Sequence, residues 1–185
     1  MIILVIGDLH IPQRKLDIPD AFKQILTPGK IHRILCTGNL TTKETLNYLK
    51  KLCKDVILVT GEEDESGIPD SKETQTVKLG EFRFGIIHGH QVVPWGDPER
   101  LGAYARELGV DVLVSGHTQI PSVAEYEGRL LLNPGSATGA FSPLAPDSTP
   151  SFLILDVKGD QMTIYHYKVT ESQGVEVSHT IYNLH

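Results

Sequence analysis

Cysteine is scarce in this 185-residue chain, occurring only as Cys36 and Cys53. Both lie inside apolar segments, which excludes a disulfide framework and reads as free thiols in a reducing compartment. Aromatic residues make up 6%, with a single Trp, and no low-complexity tract suggests an appended module. A basic surplus is also lacking: 17 Lys and Arg stand against 23 Asp and Glu, a formal charge of -6. That balance argues against nucleic acid as a partner. No apolar run approaches the ~20 residues of a membrane span. The opening run, Ile2 to Ile6, has no basic segment before it and reaches Asp8 quickly, so it reads as a strand and not as a signal peptide. What remains is an ordinary globular composition, 40% hydrophobic, expected to fold as one domain over residues 1–185 and to bury roughly 70% of its unfolded surface.

Short continuous apolar runs at Ile2–Ile6, Ile31–Cys36 and Val56–Val59 alternate with helical patterns, the signature of a mainly parallel sheet covered on both faces. The first helix is expected from Pro19 with Phe22, Ile25 and Leu26 on one face. The second is expected from a capping box, Thr41 with Glu44, burying Leu46, Leu49 and Cys53. A hairpin follows, turning at Gly80-Glu81, and then a third helix from Asp97-Pro98 to Gly109. After Val112–Val114 the chain reads as strands, with turns at Glu127-Gly128, Gly159-Asp160 and Gln173-Gly174. Residues 134–150, rich in Gly, Ser and Pro, read as a long ordered loop. The predicted architecture is α/β: a four-layer α-β-β-α sandwich of two mixed sheets packed face to face, with helices outside.

Chemistry-bearing residues concentrate where apolar runs stop. Asp8 and His10 follow the first, Asn39 the second, Glu62, Glu63 and Asp64 the third, His88 and His90 the hairpin, and His117 the run Val112–Val114. In an α/β sheet such ends share one edge. Carboxylates, imidazoles and a side-chain carbonyl suit borderline or hard divalent ions such as Mn or Zn, and the site has no thiolate character. For His90 the residues leave two roles open, ligand or brace of its own loop.

Taken in order, Gly7-Asp8-Leu9-His10, Thr37-Gly38-Asn39, Thr60-Gly61-Glu62-Glu63, His88-Gly89-His90 and Ser115-Gly116-His117-Thr118 resemble the calcineurin-like metallophosphoesterase superfamily across essentially the whole chain. The stretches 36–40, 88–97 and 133–140 are similar, more specifically, to the small phosphoesterase-fold subunits of retromer. The resemblance implies one ion held by Asp8, His10, Asn39 and Gln119 and another by Asn39, Glu62, His88 and His117. Four positions at this edge depart from the superfamily pattern. Asn39 stands where the bridging Asp is usual, Glu62 replaces an Asn, Glu63 replaces the catalytic His, and Gln119 offers a carbonyl in place of an imidazole. No residue is therefore assigned a catalytic role. The expectation is a remnant site for one or two divalent ions, Zn or Mn, without general phosphoesterase turnover.

The retromer resemblance implies a scaffold. The loop with Val92, Val93 and Trp95 would face the large helical-solenoid subunit, with the two valines as anchors and Trp95 shaping the loop. A second hydrophobic patch of Ile2, Ile25, Leu26, Ile154, Tyr165 and Tyr167 would receive regulators carrying short Pro-Leu loops. Alternation independently sets Tyr165 and Tyr167 on one strand face. Such a subunit would be cytoplasmic and reach endosomal membranes only through its complex. The competing reading is a divalent-metal-dependent phosphoesterase with residual activity.

Overall fold

In a computed structural model describing residues 1–68, 71–146, 148–172 and 174–184, the run Ile2–Ile6 forms β1, an interior strand of the larger sheet. It pairs in parallel with β2 (Arg33–Cys36), which pairs in parallel with β3 (Val56–Leu58). The continuous apolar character of these strands has a direct cause. Ile3 and Val5 of β1 join the core between the two sheets, whereas Leu4 and Ile6 join a second core beneath the helices. Both faces are buried, so neither can be polar. Helix α1 (Asp20–Ile25) supplies Phe22 to that second core, and α2 (Lys43–Leu52) supplies Leu46 and Leu49.

The second sheet begins with the expected hairpin, β4 (Thr74–Leu79) and β5 (Phe82–Ile87). Helix α3 (Pro98–Leu108) then crosses to β6 (Val112–Val114), which runs parallel to β5. The hairpin β7 (Ser122–Tyr126) and β8 (Arg129–Asn133) completes it, in the order β4-β5-β6-β8-β7. The antiparallel strands β9 (Ser151–Lys158), β10 (Gln161–Val169) and β11 (Val175–Asn183) return to the first sheet, giving the order β11-β10-β9-β1-β2-β3. Phe82, Phe84, Ile86, Leu153 and Leu155 fill the space between the sheets. Leu101 and Ala105 of α3 pack with Ile87, Leu113 and Leu131 in a third cluster. The α-β-β-α sandwich is as expected.

Two local expectations are corrected. Helix α2 is capped by Thr42, whose hydroxyl accepts from the Thr45 N–H at 3.4 Å, and not by Thr41. Thr41 is diverted because its N–H donates to Asp64 Oδ1 at 2.8 Å. Cys53 ends the helix half-buried as its C-cap, and Leu52 takes the buried place instead. The third helix is delimited as its sequence predicts, with Asp97 accepting from Arg100 N–H at 2.9 Å and Gly109 left-handed at φ 66°. Of the expected turns, Gln173 lies outside the described residues, as does Asp147 within the long loop.

That long loop ties the site to the sheet. Ser136 Oγ donates to the Asp8 carbonyl and Thr138 Oγ1 to the Leu9 carbonyl, both at 2.7 Å, and the Ala137 N–H reaches the Gly7 carbonyl at 3.1 Å. These serve as partners for the backbone polar groups that a buried, non-repetitive segment leaves outside any ladder. Ser136→Ala removes the donor to Asp8 and the acceptor for Ala140 N–H. It is expected to cost about 1–3 kcal/mol, read as a lower denaturant midpoint at unchanged slope.

Candidate metal centre

The strand ends converge on one edge, as their spacing requires. Asp8 and His10 leave β1, Asn39 leaves β2, Glu62 and Glu63 follow β3, His88 and His90 leave β5, and His117 and Gln119 follow β6. The edge is crowded enough to bend the backbone into conformations that non-glycine residues avoid. Asp8, His10, Asn39, His117 and Gln119 have φ of 49°, 48°, 52°, 68° and 59°, each costing on the order of 1 kcal/mol. Gly61 and Gly116 permit close approach, since a Cβ would overlap Asn39 Oδ1 at the first and lie 2.8 Å from Asp8 Oδ2 at the second.

The polar atoms form two differently satisfied halves. Asp8 is fully buried; its Oδ2 accepts from the His117 N–H at 3.0 Å, and its Oδ1 lies 3.3 Å from Asn39 Nδ2 and 3.4 Å from His10 Nε2. His10 Nδ1 meets Glu63 Oε2 at 3.0 Å, and its Nε2 meets Gln119 Nε2 at 3.1 Å. Glu63 is also paired with Arg14, whose guanidinium donates to the Phe141 carbonyl at 2.7 Å. Glu63 is thus engaged on both oxygens by cationic or hydrogen-bonding groups. On the other side, His88 Nδ1 donates to the Thr37 carbonyl at 2.6 Å, which leaves Nε2 as a lone pair. Glu62 Oε1 is 3.1 Å from His117 Nδ1. Glu62, His88 and His117 each offer a ligand atom within 4.8 Å of the others. Burial pushes the His117 imidazole below the ordinary histidine value against the opposing charge of Glu62, which favours its neutral, ligand-competent form. His117 Nε2 and Gln119 Oε1 are buried without a hydrogen-bond partner.

Asn39 separates the halves. Its Oδ1 accepts from the Glu63 N–H at 3.0 Å, so its NH2 turns inward, 3.1 Å from His88 Nε2. An amide NH2 has no lone pair to offer a metal. Glu62, His88 and His117 are therefore the candidate ligands for one ion, with His117 Nε2 unpartnered and the His88 Nε2 lone pair to be released from the Asn39 NH2 on binding. They do not fit an Asn39-bridged pair with the amide held this way.

Arg14, one helical turn after His10, is a contributor that carries no sequence signal. Asp64, a strand-end carboxylate in the sequence, acts as a backbone clamp, accepting from Asn39, Gly61 and Thr41 N–H at 2.8–2.9 Å. Trp95 and Leu144 line the pocket of His10, Glu62, Glu63 and His117 and are exposed, as are Val93, Ile120 and Phe141, each within two residues of a lining residue; Ile120, Phe141 and Leu144 carry no sequence signal beyond being apolar. Val92 is corrected as an anchor: it is 6% exposed and packs with Ile87 and Leu101, leaving Val93, 67% exposed, at the surface. Trp95 stands edge-on to His117 at 4.4 Å between ring centroids. In the second patch, Ile2, Ile25, Ile154, Tyr165 and Tyr167 are half-buried. Leu26 is 3% exposed and belongs to the core beneath. Tyr165 is registered opposite Ile154, as one continuous face requires. An apolar cavity of about 350 Å³, lined by Ile11, Ile18 and Tyr48, lies apart from the metal-competent groups; the pocket with His10, Glu62, Glu63 and His117 is about 240 Å³.

Residues 1–175 match the calcineurin-like phosphoesterase superfamily domain. Vacuolar protein sorting-associated protein 29 of Schizosaccharomyces pombe (strain 972 / ATCC 24843) is 40% identical over 177 residues, 94% of each chain. The crystal structure of Chaetomium thermophilum Vps29 superposes with a TM-score of 0.95 at 39% identity, covering 100% of both chains. That of wild-type Vps29 from Entamoeba histolytica, complexed with Zn2+, gives 0.92 at 44% identity, covering 99% of this chain and 100% of that one. The chain belongs to the calcineurin-like phosphoesterase superfamily and, within it, to the vacuolar protein sorting-associated protein 29 family. Its metal site is a degenerate version of the superfamily's.

Asn39→Asp restores a bridging carboxylate beside Asp8. Without metal, the new like-charge contact is expected to lower the melting temperature by about 4–8 °C, the shift of a ~2 kcal/mol loss. With Zn or Mn the stability returns, and elemental analysis finds one more ion per chain than in the wild type.

Proposed function

We infer that this chain is a noncatalytic scaffold subunit of retromer. The observation that carries the reading is the state of Glu63. It occupies the place of the superfamily's catalytic histidine, and its carboxylate is held by Arg14 and His10. A carboxylate there has no proton to give a leaving group when ionised, and it repels a phosphoryl oxygen. Around this polar pocket stand Val93, Trp95, Ile120, Phe141 and Leu144, all exposed. Apolar and aromatic side chains rimming a rigid, preorganised surface are what a protein interface needs at its centre.

The partner for that edge is the large helical-solenoid subunit, with Val93 as anchor and Trp95 bracing the loop. The face of Ile2, Ile25, Ile154, Tyr165 and Tyr167 receives regulators that present short hydrophobic Pro-Leu loops. Leu26 supports that face from below. The two surfaces are separate, so both partners can bind at once. No helix among the described residues is long and apolar enough to cross a membrane, and in this reading the complex carries the chain to endosomal membranes from the cytoplasm.

Val93→Asp is expected to weaken binding of the solenoid subunit by more than tenfold while the chain stays folded, because a carboxylate would be desolvated without a partner. Undiminished binding in a calorimetric titration would remove Val93 from the interface. A second reading, residual metal-dependent phosphoesterase activity, is favoured by the cluster of Glu62, His88 and His117 and by the zinc complex of the Entamoeba relative. It requires turnover of a phosphodiester with added Mn or Zn that is lost in Asp8→Ala. The expected outcome is no such turnover.

A further inference from the structure

Strand β11 closes the larger sheet on one side, and the parity of its ladder fixes which of its backbone groups are unpaired. The Thr170 N–H donates to the Gly174 carbonyl at 2.9 Å and the Leu184 N–H to the Asp160 carbonyl at 2.8 Å. These bonds stand at the two ends of an uninterrupted register of nine pairs between β10 and β11. In an antiparallel pair, residues that exchange backbone bonds alternate with residues that do not. The even-numbered residues of β11 therefore bond to β10, and Val175, Val177, His179, Ile181 and Asn183 turn their N–H and C=O groups to the open edge. On its other side β10 bonds to β9 with the opposite parity, as the Val169 N–H to the Pro150 carbonyl at 3.0 Å shows.

Exposed edges are usually blunted by proline, lysine, a bulge or brevity. β11 has none of these: its nine residues include no proline, lysine or glycine, and none has a positive φ. The other outer strands differ. β3 is three residues long and is flanked by a bridge between Val59 and Lys72. β4 has six residues with Lys78 among them, and β7 has five with Glu125 among them. On β11, Val177 and Ile181 are 47% and 54% exposed, on the sheet face that carries Tyr165 and Tyr167. Glu176, the one carboxylate of the strand, is already paired with Lys168 at 3.3 Å.

We propose that this edge pairs with the same edge of a second copy of the chain, antiparallel and centred on His179. In that register Val177 lies opposite Ile181 of the second copy, His179 opposite His179, and Ser178 opposite Thr180. The outward-facing residues then exchange backbone bonds, branched aliphatic side chains meet twice on one face, and hydroxyls meet twice on the other. Glu176 falls opposite Tyr182 and meets no like charge. Moving the centre by one residue sets Val177 against His179 or Asn183 instead, and moving it by two carries Val177 or Ile181 past the end of the paired strand. Opposite residues of an antiparallel pair share a face, so Tyr165 and Tyr167 of both copies come to lie on the same side of one continuous sheet. The face assigned to regulators becomes bivalent in the pair, although the pairing itself does not rest on that assignment. A single strand-to-strand contact is smaller than a standard interface, so the association is weak and set by concentration.

Sedimentation equilibrium of the purified chain is expected to show a monomer–dimer equilibrium in the micromolar range. Ile181→Lys should weaken it more than about tenfold with the circular dichroism spectrum unchanged, since Ile181 is exposed. The register is read by crosslinking in a Cys53→Ser background. Opposite residues of a hydrogen-bonded pair lie about 5.5 Å apart at Cα, within disulfide reach, so His179→Cys should give a covalent dimer under mild oxidation. Val177→Cys would lie roughly 13 Å along the strand from its own counterpart and should not. A wild-type chain that stays monomeric up to about 1 mM would overturn the proposal, a result that requires no variant to fold. So would a dimer that Ile181→Lys leaves intact, or one that crosslinks as readily through Val177→Cys as through His179→Cys.

Discussion

One hydrogen bond organises the functional edge: the Glu63 N–H to Asn39 Oδ1 at 3.0 Å. It decides which end of the Asn39 amide faces the centre. With the oxygen held, the NH2 lies between Asp8 and His88 and serves where a shared anionic ligand would otherwise bridge two cations. The change from Asp to Asn removes a charge, and the local backbone then fixes the orientation of what remains. The half containing Asp8, His10, Glu63 and Arg14 becomes a closed set of hydrogen bonds and ion pairs. The half containing Glu62, His88 and His117 keeps the character of a metal site.

This division explains how an enzyme-like edge can act as a rigid surface. Five site residues hold left-handed backbone conformations, and such strain persists only where the surroundings over-determine it. Here the hydroxyls of Ser136 and Thr138, the Asp64 carboxylate and the packed strands supply that determination. In a phosphoesterase the same rigidity would preorganise metals for chemistry. In the proposed scaffold role it would hold the exposed Val93 and Trp95 in place at little further entropic cost on binding.

The architecture was legible in the sequence because period and punctuation agreed. Continuous apolar runs gave the buried parallel strands, Asp97-Pro98 and Gly109 delimited the third helix, and the residues following each run converged because an α/β sheet brings strand ends together. What was hidden depends on competition between distant groups. Thr41 lost its capping role because Asp64, more than twenty positions along, accepts from its N–H. Val92 and Val93 are chemically alike and adjacent, so the sequence alone gave no reason to bury one and expose the other. Arg14 became part of the site because Glu63 lies beside His10, a contact that no spacing encodes. The positions of Ile120, Phe141 and Leu144 on the rim follow from loop paths that lack any periodic signal.

As an assembled scaffold subunit, the chain would use its former catalytic edge as the proposed partner surface. The most direct measurement is purification of the native protein from its own cells, with the mass of the intact complex and its subunit ratio determined. The account predicts a stoichiometric assembly with a large helical-repeat subunit. Recovery of a freestanding protein that turns over phosphoesters with added Mn or Zn would contradict it.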